Sequence, residues 1–413
     1  MKILWLTPTH SRSAIGRFSK LVTDALYLKG YGVRVCSTEA EFKTSDCHDF
    51  MAQPVTSFGD MKSDPLDDQY DVIIINFGDH YPNHAQSLDA LSRKRVIGIF
   101  HDADMTNFGN GTRAIHKSGN DLLPIGKNVT EALAHFCDGA VAHSDFYTSA
   151  LEASDGPISV LPLAWSLPQD VQTRGDIRPI LKGPTGRFSL LTFGNINPNK
   201  CADRVISAIG MHPDLKHRVT YRLVGAIQAS IREELTMLAK DLGVNLAIVG
   251  AVEDAELHRE LLAADCVSCL RNPVLEGASA SAIEAMLHGC AVMVSDAGFY
   301  SGLPDDAVCK VSPETTPTSI AVALEYLLNQ PEERTALGKR AQTYATSAFA
   351  PGTYADRLIE LIEDVRVLSA YGAAIKSTAG QLTRLGLRPG AASTDLVLRA
   401  LEDMAPVKRR VSE

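Results

Sequence analysis

Two glutamates, Glu276 and Glu284, stand eight positions apart in EGASASAIEAMLHG (276–289), and small residues fill most of the interval. Ile283, Met286 and Leu287 follow the spacing of a buried helix face, and Gly289 is a suitable stop. The pattern predicts a helix that begins near Ser279 or Ser281. Glu276 then lies just before its N-terminus and Glu284 about one turn inside, separated by on the order of 7 Å of helix rise. Backbone N–H groups at such a start, bared by small side chains, attract phosphate. Carboxylates suit pairs of hydroxyls, so the two glutamates read as clamps astride a diphosphate. Ser281-x-x-Glu284 also spells a capping box, which would occupy Glu284 without any ligand.

Other residues could share that chemistry. In Phe193-Gly194-Asn195-Ile196-Asn197-Pro198-Asn199-Lys200 a glycine follows an apolar run and a lysine precedes a helix expected over Ala202–Gly210. An ammonium there could stabilise charge growing on a diphosphate, or simply be solvated. In TPTHSRSAIGR (7–17) only Gly16 would let backbone come close to a ligand, and the absence of GxGxxG argues against a nicotinamide dinucleotide. His101 ends an apolar strand, a position where chemistry is carried as well as a common structural one. Asp102-Ala103-Asp104 spells DxD, a Mg²⁺ or Mn²⁺ motif of a different, single-domain architecture. Cys266-x-x-Cys269 has no second pair at zinc spacing and reads as strand filler.

The elements that must position these residues alternate in type. Strands are expected at Lys2–Leu6, Gly32–Cys36, Val72–Asn76, Arg95–Phe100, Gly139–Ala142 and Ile158–Leu161, then at Phe188–Phe193, Arg218–Val224, Leu246–Val249, Cys266–Cys269 and Ala291–Val294. Amphipathic stretches separate them, the pattern of parallel sheets covered by helices. The expected architecture is α/β, with two doubly wound, Rossmann-like units, 1–168 and 187–350, facing a cleft. They are joined by a linker, 169–186, rich in Pro, Gly and charge. A helix within 351–372, with Leu358, Leu361, Ile362 and Val365 on one face, is expected to pack back on the first unit, and 373–413 forms a tail.

Composition sets the frame. With 413 residues, the chain is too long for one ordinary core, and 45% hydrophobic with 22% charged residues is ordinary globular composition. A net charge of −9 argues against broad nucleic-acid binding. No run approaches the roughly 18 apolar residues of a bilayer span, and MKILWLTPTH is interrupted by Pro8 too soon for a signal peptide, so a cytoplasmic location is expected. Eight cysteines, mostly within apolar runs, fit that compartment. Arg12, Arg17 and Lys20 form a local basic stripe that could rest on anionic lipid at the inner face of the membrane, or be an ordinary solvated face.

Together these residues resemble the retaining glycosyltransferases of the GT-B fold, family 4 type, with their Glu-x7-Glu signature. The resemblance spans residues 1–370 and is carried most strongly by 264–296, with VGAVEDAEL (249–257) resembling the segment that reads the nucleotide base. It implies a nucleotide diphosphate sugar as substrate, a glycan or lipid-linked acceptor, and neither cofactor nor metal. By residue-wise carry-over Glu276 contacts the donor sugar, Glu284 the ribose and Lys200 the diphosphate. Val252 meets the base through its backbone, Gly16 lies against the phosphate and His101 sits near the anomeric carbon. Asn195, Gly277 and Ser279 belong to the donor loops. Two positions depart from the family: Asn195 where an arginine is common, and Ser279 where a glycine is common. The first leaves one expected cation missing and keeps open a degenerate, binding-only member. A sugar-nucleotide epimerase or a phosphorylase is the enzymatic alternative.

Overall fold

A computed structural model describes residues 1–61, 65–115, 128–168 and 186–384. The expected linker, except Gly186, and the tail beyond 384 lie outside these residues. The chain divides into two compact units, one formed by Met1–Pro162 with the chain from Gly352 onward, the other by Leu163–Pro351. The first division therefore falls at Pro162 rather than at 168, and Trp165 donates its backbone N–H to the Phe349 carbonyl of its own unit at 2.9 Å.

The first unit is built on a seven-stranded sheet in the order β3-β2-β1-β4-β5-β6-β7. Its strands are β1 (Lys2–Thr7), β2 (Gly32–Ser37), β3 (Thr56–Ser57), β4 (Val72–Phe77), β5 (Val96–Phe100), β6 (Gly139–Ala142) and β7 (Ile158–Val160). All neighbouring strands pair in parallel, as in Trp5↔Ile74 and Ile97↔Gly139. Central strands are buried on both faces, which is why β4 reads VIIINF without alternation. The second unit repeats the scheme with six strands, β10-β9-β8-β11-β12-β13. These are β8 (Phe188–Phe193), β9 (Val219–Val224), β10 (Leu246–Gly250), β11 (Cys266–Cys269), β12 (Ala291–Ser295) and β13 (Cys309–Val311). In each unit the order reverses beside the first strand, at β1/β4 and at β8/β11. A doubly wound sheet opens its ligand crevice at that switch point, outside the carboxyl ends of the strands.

The helix Pro351–Arg384 returns to the first unit and runs further than the apolar spacing predicts. Tyr354, Leu358, Leu361, Ile362 and Val365 are buried. The Tyr354 ring meets Phe18 edge-on at 5.1 Å, and Asp356 pairs with Lys29 at 2.7 Å. No helix among the described residues is long and apolar enough to cross a membrane.

Two glycines allow the loops after β8 and β9 to touch. Gly225 has φ of 139°, and a Cβ there would lie 1.9 Å from the Gly194 carbonyl oxygen. Gly225→Ala is expected to destabilise the protein by about 3 kcal/mol or more in urea unfolding, through backbone strain and collision. Gly302, with open space around it, should accept alanine within about 0.5 kcal/mol. Equal midpoints for the two variants would contradict this account.

Candidate active site

The second switch point brings together Lys200, Arg271 and Glu276. After β8 the chain turns at Gly194, with φ of 87°, and a Cβ there would stand 2.9 Å from Lys200 Nζ. Pro198–Lys200 forms a short 3-10 turn, Cys201 takes a left-handed φ of 56°, and the helix Ala202–Met211 follows. This folds Lys200 back beneath its own loop. The side chain is buried and its ammonium donates to the Phe193 carbonyl. Burial, and secondarily the positive charge of Arg271, bring its pKa down to about 7. Lys200 is therefore a cation poised to lose its proton near neutrality, not a solvated loop lysine.

Arg271 leaves the end of β11 on the neighbouring strand. It is buried, with Nε 2.8 Å from Glu276 Oε1, one Nη donating to the Leu270 carbonyl at 2.8 Å and the other to Ser281 Oγ at 3.3 Å. Tyr300 donates its hydroxyl to the same Glu276 Oε1 at 2.9 Å. One carboxylate oxygen is thus fixed by a guanidinium and a phenol, and this orients Glu276. The helix Ala280–Leu287 starts immediately beyond. Its N-cap is Ser279, whose Oγ accepts from the Ala282 N–H at 3.3 Å. Ser281 already lies inside the helix and Glu284 sits in its second turn, so the capping-box alternative for Glu284 does not hold. Gly289, with φ of 69°, ends the turn. The two basic side chains, the oriented carboxylate and a helix start capped by serine form a corner whose chemistry suits an anion, with an acid beside it that suits hydroxyls.

The remaining donor-side expectations are placed as follows. Val252 is half-buried just past β10, at the same carboxyl end of the sheet; Asn195 is exposed in the loop after β8, and Gly277 is buried between Glu276 and the helix. Cys266 and Cys269 are buried, unpaired thiols in β11, and burial pushes Cys269 up to about 11. That is no thiolate ligand pair.

In the first unit Gly16 follows the N-cap Ser13, whose Oγ accepts the Gly16 N–H at 3.1 Å. A Cβ on Gly16 would meet His48 Cδ2 and the Pro8 carbonyl oxygen, each at 2.9 Å, so the chain's own loop already demands glycine here. His101 ends β5 and is buried, with Nε2 3.0 Å from Asn76 Oδ1 and Nδ1 3.1 Å from His143 Nε2. Phe18 packs edge-on against its ring at 4.8 Å. Asp102 Oδ2 accepts the Asp79 N–H at 2.8 Å from the loop after β4, and Asp104 Oδ1 accepts the Thr106 N–H at 2.8 Å within its own turn, so each DxD carboxylate has a backbone donor. Among the described residues no group of three or more His, Cys, Asp or Glu side chains could hold a metal ion. Lys20 is paired with Asp24, so the expected basic stripe is partly neutralised.

Arg271, Tyr300, Asn76 and His143 were not singled out by spacing. A signal for Arg271 existed: an arginine directly after the apolar run CVSCL, five residues before Glu276, is an anomalous charge at a strand end. Tyr300 and His143 come from separate segments and meet their partners only through the fold.

This architecture is the two-domain, Rossmann-like GT-B fold of glycosyltransferases. Residues 173–344 match the family model described as glycosyl transferases group 1. Sucrose-phosphate synthase from Thermosynechococcus elongatus is similar over 88% of this chain and 98% of its own, with a TM-score of 0.64 and 16% identity. HepE of Anabaena, in complex with UDP-glucose, gives a TM-score of 0.61 at 18% identity over 88% of this chain and 99% of its own. WaaG, a glycosyltransferase involved in lipopolysaccharide biosynthesis, gives 0.59 at 17% identity over 86% and 99%. A comparison with curated proteins finds no match.

The histidine pair makes a measurable demand. Asn76 Nδ2 donates to the Leu6 carbonyl at 3.0 Å, which aims its Oδ1 at His101, and His143 Nδ1 donates to the Leu161 carbonyl at 2.9 Å. With acceptors at both ends, every contact is satisfied only if the two rings share three protons and one positive charge. A buried ion costs several kcal/mol, an unmade hydrogen bond about 1–3. The neutral pair wins, with one contact lacking a hydrogen. Burial accordingly holds His101 well below the ordinary imidazole range, and brings His143 to about 4 and nearby His84 to about 3. The unfolded chain then binds more protons as pH falls below about 6.5, so this contribution to stability is complete above that pH and is lost towards pH 4. Urea midpoints measured from pH 7 to pH 4 should fall, and His143→Asn, which keeps the donor to Leu161, should make the slope shallower by up to about 1.4 kcal/mol per pH unit. An unchanged slope would refute neutral burial of the pair.

Proposed function

We propose that this chain transfers a hexose-type sugar, with retention of anomeric configuration and without a metal ion, from a nucleotide diphosphate sugar to a hydroxyl of a glycan or glycolipid. The observation that carries this reading is the grouping of Lys200, Arg271 and Glu276 ahead of the helix Ala280–Leu287. The match to glycosyl transferases group 1 over 173–344, which includes all of these residues, supports it. As the acceptor oxygen bonds to the anomeric carbon, the bond from that carbon to the β-phosphate oxygen breaks on the same face. The electron pair goes to the phosphate, and the acceptor proton follows it onto the departing diphosphate. Charge grows there, where a permanently charged guanidinium and an ammonium near its pKa stabilise it.

In this reading Arg271 supplies the second cation that Asn195 does not. Glu276, held by Arg271 and Tyr300, receives the sugar hydroxyls, and Glu284 the ribose. Val252 meets the base through its backbone; Gly277 and Ser279 shape the phosphate corner. Gly16 and His101 act from the first unit, at the phosphate and the anomeric carbon. Peripheral contact with anionic lipid rests on Arg12 and Arg17, with Lys20 held by Asp24.

The experiment is a nucleotide-sugar panel in EDTA, beginning with UDP-glucose, read as release of the nucleotide diphosphate. Arg271→Gln should lower kcat about a hundredfold or more. Glu284→Ala should weaken UDP binding by about 1–3 kcal/mol with the fold intact. Near-normal values for both would remove the corner from the chemistry, and a changed sugar without diphosphate release would indicate an epimerase.

Binding should also move a proton. With Lys200 near pKa 7, about half of its ammonium is charged at neutral pH, and a diphosphate beside it raises the pKa. UDP binding at pH 7 should therefore take up as much as about half a proton. Calorimetry in two buffers of different ionisation enthalpy measures this, and Lys200→Met should abolish it. Zero uptake by the wild type would separate Lys200 from the diphosphate.

A further inference from the structure

The opposite end of the second sheet carries a cavity of about 480 Å³, lined among others by Arg187, Phe188, His217, Arg218, Asp265 and Arg334. These side chains come from the residues just before β8, β9 and β11, which are adjacent in the sheet, and from the helix Pro331–Ala348. The cavity thus lies at the amino ends of the strands whose carboxyl ends carry Lys200 and Arg271, roughly 20 Å away along a six-residue strand.

Its charge runs against that of the chain. Three guanidinium groups face one carboxylate, on a protein of net charge −9. The carboxylate is already occupied: Asp265 is buried, its Oδ2 accepts the Ser189 N–H at 3.0 Å, and its Oδ1 pairs with Arg334 at 3.2 Å. Arg334 is held in place, donating to the Leu327 carbonyl at 2.7 Å and lying over the Phe188 ring at 5.1 Å from its centroid. Arg218 bonds through one Nη to Asn329 at 2.9 Å and pairs through the same nitrogen with Asp214, outside the cavity lining, at 3.4 Å, so its other Nη is the one offered to a ligand; both Arg218 and Arg187 are exposed. A fixed, aromatic-backed guanidinium with two adaptable ones beside it is an arrangement that matches a phosphate dianion, since guanidinium forks pair its oxygens bidentately. The volume falls within the range of small-ligand sites, about 300–1,000 Å³, and leaves room for a carbon skeleton beyond the phosphate.

We propose that this cavity binds a small phosphomonoester of sugar-phosphate size, at a site separate from the corner at the other end of the sheet. This does not rest on the transferase reading. The test is calorimetric titration of the full chain with ribose 5-phosphate and with inorganic phosphate, using ribose as the uncharged control. Ribose 5-phosphate should bind and ribose should not, and the surface variant R187Q/R218Q should weaken binding about tenfold or more. Lys200→Met, at the other end of the sheet, should leave that affinity unchanged. No binding by the wild type, or equal affinity in R187Q/R218Q, would overturn the proposal; so would loss in Lys200→Met alone, which would place the phosphate at the carboxyl end. Binding of inorganic phosphate as tight as that of ribose 5-phosphate would overturn the sugar-phosphate assignment.

Discussion

Lys200 and Arg271 are two buried basic side chains at one end of a sheet, and the oriented carboxylate of Glu276 is paired with Arg271. Like charges held this close and this dry repel, and the pKa of Lys200 near 7 registers that repulsion on top of its burial. The arrangement persists because each group is tied to something else: Lys200 to the Phe193 carbonyl, Arg271 to Leu270 and Ser281, Glu276 to Tyr300. Such a corner is electrostatically incomplete. An anion arriving there would restore the lysine's charge, and its binding would be favoured by relief of a cost that folding has already imposed.

The geometry follows from strand order. β8 and β11 are neighbours although 72 residues separate Phe193 from Asp265, and parallel pairing from Leu190↔Cys266 to Leu191↔Val267 sets their exits side by side. Gly194 and Gly225 then let consecutive loops pass at backbone contact, and the lysine tucks beneath. Side chains on those two glycines would push the loop outward and uncover Lys200, which would restore its ordinary basicity and remove its value as a buried charge.

Much of this was legible in the residues. Central strands such as VIIINF and AVMVS announce themselves because parallel strands buried on both faces leave continuous apolar runs. Thr56–Ser57 and Cys309–Val311 gave no such signal: they are two- and three-residue edge strands whose identity comes from the partner they pair with. The helix start beside Glu276 was visible in its small residues, but which serine caps it depended on backbone angles, and Ser279 rather than Ser281 has them, with φ of −105° and ψ of 101°. Arg271 was missed for a related reason. Along the chain the position expected to carry a second cation beside Lys200 is Asn195, whereas the sheet delivers that cation from the adjacent strand.

His101 shows the same logic at finer grain. Both of its ring nitrogens are engaged, so contact with a sugar hydroxyl requires one bond to open. The two bonds are not equivalent. When the neutral pair places the shared hydrogen between Nδ1 of His101 and Nε2 of His143, Nε2 of His101 and Oδ1 of Asn76 face each other as two acceptors. That contact then lacks a hydrogen and is the weaker of the two, while the interhistidine bond is made. Nε2 is then the atom able to accept a hydroxyl hydrogen, and His143, fixed by the Leu161 carbonyl, is the residue that selects the tautomer. The protonation of a strand-end histidine, and any chemistry it would do, thus depends on a second histidine 42 residues further along, brought beside it by the neighbouring strand β6.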